Sequence, residues 1–165
     1  MDLIRLKPEV AGSTGDGTVI TNYDDLRSGA ALVPSVEHLE YAFDDWLGDD
    51  LIESFPCFIV TNALAASLEA GGLSGLELRD VTITVSELWE QLHEDDPTGA
   101  ALPRFRWFVP TGTVSIEPGE TSYRDWSGHD LCLSQRAELI VTDRALAVMR
   151  TLRLDQCEVE PLEPG

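Results

Sequence analysis

The side chains able to do chemistry in this chain are mostly carboxylates, and four of them recur at matched spacing. Asp45-Trp46-Leu47-Gly48-Asp49-Asp50-Leu51 and, eighty positions later, Asp125-Trp126-Ser127-Gly128-His129-Asp130-Leu131 both read D-W-x-G-x-D-L. Carboxylates paired in this way, Asp45 with Asp50 and Asp125 with Asp130, could hold a divalent metal for hydrolysis. The pattern lacks the alternate-position oxygen ligands of a calcium-binding loop. A structural turn reads more simply. Asp accepts local backbone N–H groups, Gly permits a tight bend, and Trp packs beneath.

Other chemistries find less support. His38, His93 and His129 are isolated, and no H-E-x-x-H pairs two of them on a helix face. His93-Glu94-Asp95-Asp96 reads as a helix end running into a solvated loop. Gly12-Ser13-Thr14-Gly15-Asp16-Gly17-Thr18 has no phosphate-binding Lys, so it reads as a flexible surface loop. No G-x-S-x-G occurs. Cys57, Cys132 and Cys157 form no C-x-x-C and sit in apolar, strand-like contexts, which predicts buried, reduced thiols. Apolar neighbours would raise the Cys57 thiol pKa and work against a nucleophilic role. The expectation is therefore no catalytic residue, no metal and no cofactor.

The elements that must position these residues follow from pattern. After each D-W-x-G-x-D-L comes a short apolar run, Cys57 to Val60 and Leu139 to Val141, which reads as a buried strand. Thr61 and Thr142 suit helix N-caps. Leu64 and Leu68, then Leu146 and Met149, fall at helical spacing. Leu76 to Leu78 and Cys157 to Val159 read as strands. Ile59 to Asn62 aligns with Ile140 to Asp143, Leu68 with Met149, Leu73 with Leu154, and Glu77-Leu78 with Glu158-Val159. The chain thus reads as one domain of 165 residues with two pseudo-repeats, about 36–79 and 121–160. Each repeat is a turn–strand–helix–strand unit. Further strands are predicted at Asp2 to Lys7, Glu37 to Phe43 (Leu39, Tyr41 and Phe43 on one face), Val81 to Val85 and Arg104 to Val109. A short helix capped by Ser86 is predicted from Glu87 to His93. Pro97 to Pro103 and Pro110 to Gly119 read as loops. The fold class is α+β, a mixed or antiparallel sheet with about three short helices.

Charge narrows the partners. Eleven Lys and Arg against 30 Asp and Glu give a net charge of −19, while 43% hydrophobic residues are ordinary for a globular chain. Such a chain repels nucleic-acid phosphates and anionic membranes. No apolar run approaches the roughly 18 residues of a membrane span, and the N-terminus lacks a signal-peptide pattern. The expected location is the cytoplasm. Ser28 to Leu78 contains nine acids and no Lys or Arg, and five of those acids lie between Asp44 and Glu53, around Trp46. Acidic runs commonly form solvated faces that aid solubility. An aromatic set among acids also suits an interface with a basic partner.

Leu6 to Gly12, Trp46 to Leu51 with Glu53 to Phe58, and Ile140 to Asp143 resemble one class of immunity proteins of bacterial polymorphic toxin systems. In that class a Trp-Gly-Asp turn precedes a strand-capped helix and a final strand. The turn occurs twice here, with Ser127 and His129 in place of Leu47 and Asp49. The resemblance implies a non-enzymatic cytoplasmic protein that binds and neutralises a cognate, basic toxin protein. Asp44, Asp45, Trp46, Asp49, Asp50 and Glu53 are the expected partner-binding residues. A housekeeping protein-binding module, acidic for solubility, and a metal-assisted hydrolase using Asp45, Asp50, Asp125 and Asp130 are the alternatives.

Overall fold

The computed structural model describes residues 2–165. The first stretch holds β1 (Leu3–Lys7), β2 (Gly12–Thr14), β3 (Val19–Ile20), α1 (Tyr23–Ser28), β4 (Val36–His38), β5 (Glu40–Phe43) and β6 (Leu51–Ser54). The middle holds β7 (Cys57–Thr61), α2 (Asn62–Ala70), β8 (Leu76–Arg79), β9 (Thr82–Val85), α3 (Glu87–Leu92) and β10 (Phe105–Pro110). Then follow β11 (Gly112–Ile116), β12 (Ser122–Arg124), β13 (Leu131–Ser134), β14 (Leu139–Thr142), α4 (Asp143–Met149), β15 (Glu158–Pro161) and β16 (Glu163–Pro164). The fold is α+β, with short strands predominating.

The strands pair in two sets with the same order. One sheet runs β15-β1-β14-β13-β11-β12-β16. Two further sheets run β8-β10-β7-β6 and β2-β5-β9, and β3 pairs with β4 alone; a parallel bridge from Glu9 to Ile52 stands where β11 meets β13 in the first set. Pairing senses agree as well: β5 with β9 and β12 with β16 are parallel, while β10 and β1 lie antiparallel to the strands on both sides. The strands are exchanged in sequence. β1 precedes the first turn but completes the sheet of the second, and β10 precedes the second turn but completes the sheet of the first.

Burial explains the sequence of these central strands. Every residue of β7 and of β14 is buried, so both lack the half-polar alternation of a one-sided sheet. Phe58 and Val60 of β7, Leu139 and Val141 of β14, Ile4 and Leu6 of β1, and Phe108 of β10 face one shared core with α2 and α4. The opposite faces enter separate clusters. Cys57, Ile59, Phe105 and Trp107 meet Tyr41, Phe43 and Trp89, whereas Leu3, Cys132 and Ile140 meet Val114 and Ile116. Arg5 is buried beside the second cluster and is neutralised by Glu138 and Glu160.

Several expectations change. Four helices form rather than about three, because α1 buries no residue and so carries no apolar periodicity. The stretches read as loops at Gly12 and after Pro110 contain β2 and β11. Glycine opens both strands because the backbones approach closely. A Cβ at Gly12 would lie 1.9 Å from the Ala42 carbonyl oxygen, and one at Gly112 would lie 2.6 Å from that of Leu131. The predicted strand from Glu37 to Phe43 divides into β4 and β5, with Leu39, Tyr41 and Phe43 fully buried as the alternation requires. Cys57 and Cys132 are buried and Cys157 is half-buried, all three as free thiols. Burial pushes the Cys57 thiol up to about 12 and the Cys157 thiol to about 11, where neither is a nucleophile at neutral pH. Among the described residues no helix is long and apolar enough to cross a membrane.

Candidate functional site

Both D-W-x-G-x-D-L segments fold as tight turns closed by the Trp indole, although Asp125 takes φ of +53° and Asp45 does not take a positive φ. The Trp46 indole N–H donates to the Asp49 carbonyl at 2.9 Å, and the Trp126 indole N–H donates to the His129 carbonyl at 2.9 Å. Gly48 and Gly128 take φ of +104° and +88°, a region that side chains disfavour. The last Asp of each turn then reaches two places. Asp50 Oδ1 accepts the Thr61 hydroxyl at 2.5 Å, and Asp130 Oδ1 accepts the Thr142 hydroxyl at 2.8 Å. Those hydroxyls in turn accept the Leu64 and Ala145 N–H groups, capping α2 and α4 as the sequence predicts.

The other carboxylate oxygen reaches the loop that follows the other helix. Asp50 Oδ2 accepts the Arg153 N–H, after α4, at 2.9 Å. Asp130 Oδ2 accepts the Ser74 N–H, after α2, at 2.9 Å. Each Asp therefore joins a helix N-terminus to the loop that ends the other helix. Both oxygens of both residues are engaged inside the fold, and among the described residues no group of three or more His, Cys, Asp or Glu is placed to hold a metal.

The six expected partner-binding residues separate in role. Asp49 is a correction: it is fully buried, and its two oxygens accept the Asp155 and Gln156 N–H groups at 2.9 and 2.8 Å. It presents nothing to a partner, because a buried carboxylate needs all of its acceptor capacity satisfied internally. Asp50 holds the fold as described. Trp46 is half-buried, edge-on to Phe105 with ring centroids 6.0 Å apart. Asp44 accepts the hydroxyl of Ser86, which caps α3. Asp45 is exposed and bonds the His93 ring at 3.0 Å. Glu53 is half-buried.

The Asp44 and Asp45 contacts bring together two acidic clusters that are about forty residues apart in sequence. Asp44 holds the start of α3 and Asp45 its end, so the first turn and the Glu94-Asp95-Asp96 run share one surface. His93 also stacks on Trp89, with ring centroids 3.8 Å apart. Trp89 is the one residue of α3 that is buried. Glu87, Leu88, Glu90, Gln91 and Leu92 face outward.

Glu9 is a positioning residue that sequence reasoning missed. Its carboxylate accepts the Leu47 and Asp49 N–H groups at 2.8 and 3.2 Å, which shapes the first turn from outside it. Burial holds Glu9 above the usual carboxylate range. Only a carboxylate just after Pro8 hinted at it in the sequence.

Burial first, and then the Glu138 carboxylate, also hold Glu53 above that range, with Lys7 opposing. A Glu whose folded pKa is raised matches a neutral side chain in acid and loses stability as pH rises through the folded value. Glu53→Gln is therefore expected to raise the urea midpoint at neutral pH. The gain should fade below the ordinary Glu pKa of about 4.3. An unchanged midpoint at neutral pH would contradict this account.

An open groove of about 440 Å³ lies elsewhere, lined by Leu32, Phe55, Pro118, Arg136 and Glu138. Comparison with protein families, curated proteins and solved structures finds no match to this chain.

Proposed function

We propose that this protein is a cytoplasmic immunity protein that binds and neutralises a cognate toxin with a basic surface, without catalysing a reaction. One observation carries the reading. The first turn and α3 form a common surface where Asp45, Glu87, Glu90, Glu94 and Asp95 are exposed, and no Lys or Arg occurs between Asp80 and Pro103. Such a surface attracts a basic partner at long range and repels acidic ones. Many toxins that act on nucleic acids must carry cations to hold phosphates, which suits them as partners.

The scaffold beneath this surface fits a duplication of the turn–strand–helix–strand unit. The matched strand orders, the two Asp–Thr caps and the two turns closed by a Trp indole over a positive-φ glycine all support it. On that view the unmatched segments carry what is specific to this chain. They are β3–α1–β4 between β2 and β5, and α3 after β9.

Co-expression with the product of the adjacent gene tests the function. The expected result is rescue from its toxicity, with a complex that forms at low salt and weakens steeply as salt rises. Glu87→Lys with Glu90→Lys should slow association about tenfold or more. A harmless neighbour, or association indifferent to salt and to the charge reversal, would overturn the proposal.

A further inference from the structure

Helix α3 differs from the other helices that pack on the sheets. In α2 and α4 every leucine is buried, namely Leu64, Leu68 and Leu146. In α3 the core takes Trp89 alone, while Leu88 and Leu92 remain 46% and 56% exposed. They stand four residues apart, so they lie on one face of the helix. Leu47, at the tip of the turn that holds α3, is 55% exposed. Each leucine is thus presented outward by a rigid anchor. Trp89 fixes the helix from below, and the Ser86–Asp44 and His93–Asp45 contacts fix its two ends.

Fixed, exposed leucines serve no packing purpose within the monomer. A second copy of the chain is a poor occupant, since both copies would bring the same cation-free carboxylates to the contact. Glu87 and Gln91 adjoin the pair on the helix, Glu90 stands on the far side, and Glu94 and Asp95 follow the helix end, so the leucines lie in a segment that carries acids and no Lys or Arg.

We infer that the Leu88–Leu92 face of α3 is the docking ridge for a protein partner that presents an apolar cleft or helix stripe bordered by lysines and arginines. This rests on the reading that a basic partner meets the acidic surface, and it moves the principal contact from the turn to the helix. The turn residues Asp44 and Asp45 then act as positioning residues that hold α3 in place.

The full chain, labelled with ¹⁵N, can be titrated with two probes at physiological salt: an amphipathic Leu/Lys helical peptide and an oligolysine of equal charge. The Leu/Lys peptide should shift the amides of α3 and of the first turn first, and bind about tenfold more tightly than oligolysine. Leu88→Ser with Leu92→Ser should weaken the Leu/Lys peptide about tenfold while changing oligolysine by less than about twofold. Equal affinity for the two probes, or shifts centred on the Leu32 and Phe55 groove, would overturn the inference. The comparison of probes on the unsubstituted chain decides the question even if the double variant folds poorly. The peptide result is independent of the adjacent gene. A harmless neighbour with an intact peptide result removes the toxin and keeps the ridge, whereas rescue with no ridge binding does the reverse.

Discussion

Asp130→Ala is expected to lower the unfolding free energy by about 3 kcal/mol in urea denaturation at neutral pH. The carboxylate accepts the Thr142 hydroxyl, the Ser74 N–H and the Ser74 hydroxyl at 2.8, 2.9 and 3.2 Å, and it is almost fully buried. Truncation leaves the cap of α4 without its support and the Ser74 N–H without a partner. Burial raises the Asp130 pKa, but the Ser74 and Thr142 hydrogen bonds, with the charge of Arg144, outweigh it and hold the carboxyl below its usual range. A depressed folded pKa contributes stability that is present above the unfolded value of about 3.9 and is lost as pH falls through the folded value. The difference between the wild type and Asp130→Ala should therefore narrow in acid. Asp50→Ala should act in the same direction through Thr61 and Arg153, and less strongly, because Asp50 is only half-buried. Unchanged stability in Asp130→Ala, or a difference that persists undiminished in acid, would remove the clasp.

What was legible in the sequence was local. Thr61 and Thr142 cap helices because a hydroxyl reaches an N–H three residues on, and that distance is written in the chain. Thr61 and Thr142 each end a fully buried strand, Thr61 pairing with Phe105 and Thr142 with Leu3. The exchange of β1 and β10 was not legible. A strand buried on both faces carries no mark of which sheet it joins, and either strand would satisfy the neighbouring hydrogen-bond edge. The acid run misled for a related reason. Asp49 looks like surface charge beside Asp50, yet the backbone N–H groups that bury it lie more than a hundred residues away. Helical spacing sets Leu88 and Leu92 on one side of α3 with Trp89 beside them, and does not say which side faces inward. The indole prevailed because it fills more of the space beside Phe43 and donates its ring N–H to the Asp96 carbonyl.

The exchanged strands carry a second large expectation. Phe108 of β10 is fully buried and pairs in register with Phe58 of β7, and both rings enter the core shared with Leu6, Leu139 and Val141. Phe108→Ala should cost about 4 kcal/mol through lost burial and the cavity left behind. The more discriminating outcome is where that loss appears. If each unit were an independent lobe, amides of β7 would lose protection and those of β14 would not. Here β1 and β10 each stabilise the unit whose turn lies farther from them in sequence, α2 packs on α4, and Asp50 and Asp130 reach across. Opening one unit therefore removes a strand's support and one clasp from the other. Native-state hydrogen exchange should report the same opening free energy for Ile59 and Ile140 in the wild type. Phe108→Ala should lower both by the same amount. Wild-type protection retained at Ile140 in the variant would show that the two units unfold separately, and that the shared core couples them less than its composition implies.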